Sequence, residues 1–97
     1  MMKTTTLMPL EVLENGTVQV RLLLQDDDGV ALKRAWHRTS LPPETPVDLQ
    51  MAAVNAHLAD MGWPSISAAD IETIKAACVE DWTPEIITAY RAIMADC

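Results

Sequence analysis

Phenylalanine is absent from the 97 residues, tyrosine occurs once and aromatics reach only 4%, so a core must be built from aliphatic side chains and three tryptophans. Cysteine is scarce as well. Cys78 and Cys97 are too few for a disulfide framework and lack the paired spacing of a metal knuckle. Cys78, set between Ala77 and Val79, is expected to be an inert buried thiol, and Cys97 an exposed free one. Glycine stands only at 16, 29 and 62, too dispersed for a loop that cradles phosphate. No apolar run approaches the roughly 18 residues that read as a membrane span. The opening Met1-Met2-Lys3-Thr4-Thr5-Thr6 lacks the apolar stretch of a secretory signal, so a protein made and kept in a cytoplasm, or packed into a particle assembled there, is expected.

Positive charge is the other shortage. Seven Lys or Arg face 14 Asp or Glu, for a net charge of -7, which withholds the phosphate neutralisation that nucleic-acid binding needs. Neither nucleic acid nor a membrane is an expected partner. The imbalance is uneven: residues 1–41 hold five basic and five acidic side chains, residues 42–97 two and nine. The C-terminal half is thus strongly acidic. With 49% hydrophobic and 22% charged residues, the composition is that of one globular domain over residues 1–97.

Residues 1–41 alternate like strands. Val18, Val20, Leu22 and Leu24 share one face, with Gln19, Arg21 and Gln25 on the other. Asn15-Gly16 before them suits a type I′ hairpin turn, with Leu7 to Leu13 as the partner strand and Pro9 marking it as an edge strand or a late starter. Asp26-Asp27-Asp28-Gly29 then reads as a second turn: contiguous acids do not have the alternate spacing of a calcium loop. Val30, Leu32 and Trp36 are expected on the core face of a third strand. A three-stranded antiparallel meander results.

After the proline hinge at 42–46 the period changes. Thr45-Pro46-Val47-Asp48 reads as a capped helix start, and Val47, Met51, Val54, Leu58 and Met61 form one stripe that ends at Gly62. Ser67 opens a second helix carrying Ile71, Ile74 and Cys78. Thr83-Pro84-Glu85 opens a third carrying Ile86, Tyr90 and Ile93. The sequence therefore predicts an α+β fold, a three-stranded meander (1–41) followed by three helices (47–97) packed on one face. Val18, Val20, Leu22, Leu24 and Trp36 are expected to meet Val54, Leu58, Ile71 and Ile86 in one core.

No catalytic constellation is found. His37 and His57 have no convergent ligands, Ser40 stands three residues from His37 without a strained glycine elbow, and Ser65 and Ser67 belong to a turn and a cap. No catalytic, cofactor or metal residue is assigned, and no enzyme is expected. One segment rises above background. Lys33-Arg34-Ala35-Trp36-His37-Arg38 concentrates three fixed positive charges and an indole in an acidic protein. Arg and Trp are the types enriched at interface hot spots, so Lys33, Arg34, Trp36, His37 and Arg38 are the expected partner-binding residues. On a strand, Lys33 and His37 face one way and Arg34, Trp36 and Arg38 the other. Trp63 and Trp82, at helix junctions, read as packing plugs.

The order of Asn15-Gly16-Thr17-Val18-Gln19-Val20-Arg21, Asp28-Gly29, Trp36-His37-Arg38, Leu41-Pro42 and Trp82-Thr83-Pro84-Glu85-Ile86-Ile87-Thr88-Ala89-Tyr90 resembles small uncharacterised proteins of tailed bacteriophages and prophages. The chain departs from them in its long helices from Pro46 and Ala68. The resemblance implies a non-enzymatic virion or tail accessory subunit, in the host cytoplasm or the virion, with other protein subunits such as a tail scaffold as partners and several copies in an assembly. It implies no catalytic residues. The acidic half favours a different class, an inhibitor of host defence such as an anti-CRISPR protein that uses carboxylates to fill a nucleic-acid channel.

Overall fold

The computed structural model describes residues 2–27 and 32–95, apart from the side chains at positions 2, 27, 32 and 33. The turn expected around Asp28-Gly29, the core placement of Val30 and of the Leu32 side chain, and the exposed Cys97 lie outside the described residues. Strands β1 (Met2–Leu7), β2 (Glu11–Val12), β3 (Val18–Asp27) and β4 (Leu32–Leu41) precede helices α1 (Val47–Asp60), α2 (Ala68–Asp81) and α3 (Pro84–Ala95). The class is α+β, and the sheet is antiparallel with four strands, not a three-strand meander.

Pro9 is the reason for the fourth strand. β3 is central, with β4 along one side and β1 then β2 along the other. Leu7 pairs with Leu22 and Glu11 with Gln19, so the edge carries one more residue than β3 across the break. Proline has no N–H for the ladder, and the edge strand bulges there. The first strand also begins earlier than Leu7, because the β-branched Thr4, Thr5 and Thr6 suit a pleated surface and pair with Gln25, Leu24 and Leu23.

Asn15-Gly16 closes the hairpin in a different form from the one expected. Type I′ needs positive φ at two successive residues, but here Gly16 has φ +91° and the one non-glycine at positive φ among the described residues is Glu44. Leu13 N–H donates to the Thr17 carbonyl at 2.8 Å and Gly16 N–H to the Leu13 carbonyl at 3.0 Å. That is a three-residue loop, a type I turn ended by a left-handed glycine.

α1 starts without the expected Thr45 cap. Pro46 occupies the cap position with no side-chain bond to the helix. Thr45 instead donates its hydroxyl to the Pro42 carbonyl at 2.7 Å, because the intervening turn, with Glu44 at φ +72°, brings the two together. The other helix signals hold. Gly62, at φ +81°, ends α1 in a Schellman arrangement, with Trp63 N–H donating to the Leu58 carbonyl at 2.8 Å and Gly62 N–H to Ala59 at 3.0 Å. The Ser67 hydroxyl accepts from Asp70 N–H at 3.1 Å and the Thr83 hydroxyl from Ile86 N–H at 3.3 Å.

The core is formed where Val18, Val20, Leu22, Leu24 and Leu41 of the sheet meet Met51, Val54 and Leu58 of α1 and Ile74 and Cys78 of α2, with Ile66 between the helices. Ile71, Trp63 and Trp82 pack against it partly buried. α3 contributes no fully buried side chain, so Ile86 is peripheral to this core. Trp36 is not in the core either. Residues directly opposite in an antiparallel pair share a face. Trp36 pairs with Leu23, whereas the buried Leu22 and Leu24 stand opposite His37 and Ala35.

Candidate functional site

α1 and α2 cover only the face of the sheet that carries Leu22 and Leu24. The opposite face is built by the intervening residues of β3 and β4, where Arg21 stands across from Arg38, Leu23 from Trp36 and Gln25 from Arg34. Trp36 is 51% exposed, and Arg34 and Arg38 are exposed on either side of it. The expected strip is thus divided. Arg34, Trp36 and Arg38 form one surface, while His37 points to the helices. The Lys33 side chain lies outside the described residues, and its register position, opposite Asp26, belongs to the helix-covered face.

Two residues of this surface come from β3. Leu23 underlies Trp36 as an apolar cross-strand neighbour, and Arg21 adds a third guanidinium. Arg21 Nη2 donates to the Pro9 carbonyl at 3.2 Å, over the break between β1 and β2, and its Nε is buried without a partner. The alternation of β3 does show Arg21 and Leu23 on the non-core face. Which β4 residues join them depends on register.

Like charges directly opposite one another destabilise a strand pair, so Arg21 and Arg38 would ordinarily be offset by a carboxylate. Among the described residues the ion pairs run elsewhere. Lys75 meets Asp48 at 3.2 Å and Glu72 at 3.6 Å, and Arg91 clasps Glu44 with two hydrogen bonds of 2.6 and 2.5 Å. The Glu44 carboxyl is held below its ordinary range by that guanidinium. Both helical cations are therefore neutralised locally, while Asp60, Asp70, Glu80 and Glu85 enter no ion pair among the described residues. The molecule has a basic sheet face and an acidic helical layer.

On the covered face, the His37 and His57 rings lie 5.4 Å apart, tilted by 37°. His37 is half-buried rather than presented to a partner. Burial, with a smaller contribution from the neighbouring His57, lowers its pKa from the ordinary 6.5. A histidine whose folded pKa is depressed binds fewer protons folded than unfolded, so its stabilising contribution is present above pH 6.5 and is lost as pH falls through the lower folded value. Stability in urea should accordingly decline as pH falls below 6.5, and His37→Gln should flatten that slope. An unchanged slope in the variant would remove His37 as its source.

No group of three or more His, Cys, Asp or Glu side chains among the described residues could hold a metal ion, and the histidine pair has no third ligand. Cys78 is 1% exposed, and burial, followed by the charge of Asp81, pushes its thiol up to about 11, which keeps it protonated at neutral pH. Two surface clefts, of about 480 and 430 Å³, lie along Pro84, Glu85, Thr88, Ala89 and Ala92 and between Val12, Ala77, Glu80 and Asp81. Among the described residues, neither wall carries a histidine, serine or cysteine. No described helix is long and apolar enough to cross a membrane. Trp63 and Trp82 are spent on structure: Lys3 Nζ sits 5.3 Å above the Trp63 ring, and the Trp82 indole donates to the Gly16 carbonyl at 2.8 Å. Comparison of the chain with protein-family models, curated proteins and solved structures finds no match.

Proposed function

We propose that the chain is a non-enzymatic protein–protein interaction module whose open sheet face docks on an acidic protein surface. The observation that carries this reading is the exposed Trp36 flanked by Arg34 and Arg38, with no helix covering them and no carboxylate paired to them among the described residues. An indole framed by guanidinium groups supplies apolar area and directional charge together. The resemblance of its short motifs, in their order, to small tailed-phage proteins supports a structural or accessory subunit of a virion tail or baseplate, present in several copies, in the host cytoplasm or the particle.

The test is a double variant, Arg34→Glu with Arg38→Glu, produced during phage assembly. Both side chains are exposed, so the variant should fold as wild type does by circular dichroism. Its recovery with purified particles should drop by about tenfold or more, since reversed charge opposes an acidic partner. Raised salt should weaken wild-type association in the same direction. Full recovery of the folded variant with particles would reduce the strip to a solvated strand face.

The acidic helical layer supports a second reading, an inhibitor of a host defence system such as an anti-CRISPR protein. In that case the protein would be absent from particles, and reversing Glu80 and Glu85, not the arginines, would abolish binding to a nucleic-acid-binding effector.

A further inference from the structure

The surface formed by Arg34, Trp36 and Arg38 continues into the edge of the sheet. Met8 N–H donates to the Arg21 carbonyl on the β1 and β2 side of β3. N–H and C=O of one residue point to the same side of a strand and alternate along it. The even residues of β3 therefore turn towards β4, making their bonds with Ala35, His37, Thr39 and Leu41. The N–H and C=O groups of Arg34, Trp36, Arg38 and Ser40 are left pointing outward from β4. β4 is ten residues long, contains no proline and, among the described residues, pairs only with β3. Such an edge is a template for an additional strand unless something blocks it.

We propose that β4 receives an extended segment of a different protein by strand addition, with acidic side chains four residues apart and an apolar side chain midway between them. The proposal rests on the docking reading above and specifies its geometry. On the open face, a strand laid beside β4 places alternate residues next to Arg34, Trp36 and Arg38, so carboxylates at the outer two positions meet the guanidinium groups and the middle residue packs on the indole. The backbone supplies affinity and the alternating side chains supply selection. A second copy of this chain does not meet the requirement. β4 against β4 in antiparallel register centred on Trp36 sets arginine against arginine, and the opposite edge is interrupted at Pro9 and brings Thr4, Thr6 and a single acid, Glu11, to that face, not two carboxylates four residues apart.

The probe is a synthetic peptide of about ten residues, threonine-rich, with glutamate, valine and glutamate at successive positions of one face. A second peptide carries N-methyl groups on the amides that would pair with β4, and a third has lysine for both glutamates. The first should bind and slow hydrogen exchange at the Arg34, Trp36 and Arg38 amides of the whole protein, leaving the β1 edge unchanged. Each altered peptide should bind about tenfold or more weakly. Equal binding of the N-methylated peptide, or binding without slowed exchange on β4, overturns strand addition while leaving docking through side chains in place. Absence of binding by the first peptide overturns it too. The docking reading itself falls only if the folded Arg34→Glu, Arg38→Glu variant keeps its place in the particle.

Discussion

Replacing Leu22 with alanine is expected to cost about 3 to 5 kcal/mol of folding stability, the upper part of the range for deleting a buried leucine. Leu22 is 0% exposed on the central strand, with Leu7 and His37 as its neighbours across the sheet. α1 and α2 close the core above it, so the surroundings are held from four elements and collapse poorly into the space left. Domains of this size are stable by only about 5 to 15 kcal/mol, and the variant should show a large fall in urea midpoint. Leu23→Ala, one residue away on the open face, should cost about 1 kcal/mol or less. A loss below about 0.5 kcal/mol for Leu22→Ala, or equal losses at the two positions, would assign β3 to the wrong face.

The second large effect belongs to Gly16. Its φ of +91° is a conformation that alanine adopts at a cost of roughly 1 to 2 kcal/mol, and a Cβ there would overlap Ile86 Cγ2 and stand 3.0 Å from Pro43 Cγ. Relieving the overlap would move the start of α3 or the proline turn, while the Gly16 carbonyl must keep its bond to the Trp82 indole. Overpacking of that kind adds about 1 to 3 kcal/mol, so Gly16→Ala should lose about 3 kcal/mol in a denaturant melt. Gly62 is the control. It has φ +81° but only Lys3 Nζ nearby, at 3.7 Å, so Gly62→Ala should cost about 1 kcal/mol. Equal losses at the two glycines would show that backbone conformation alone matters and that the packing of the hairpin against α3 does not.

Much of the fold is legible locally because its signals act over a few residues. The alternation of Val18 to Leu24 is enough to define the buried face of β3. Ser67, Thr83 and Gly62 terminate helices through bonds to backbone groups at most five residues away. The stripe of Met51, Val54 and Leu58 follows from helical period alone. The basic and aromatic composition of the segment 33–38 is also plain in the sequence, as is the split of its side chains between two faces.

Which of those faces is covered was decided by tertiary structure. Leu41 is 0% exposed opposite Val18, and that pairing sets the parity of all of β4: the small or polar Ala35, His37 and Thr39 face the helices and the large Trp36 faces out. A strand inverts all its faces when its register shifts by one residue, so apolar size at a single position does not determine burial. The same register joins Arg21 and Leu23 to the candidate site, and the packing of α1 over β4 brings His57, twenty residues away in sequence, against His37. Thr45 shows the converse at short range. Its hydroxyl had two acceptable uses, a helix cap or the Pro42 carbonyl, and the turn carrying Glu44 at φ +72° selected the second by placing that carbonyl 2.7 Å away.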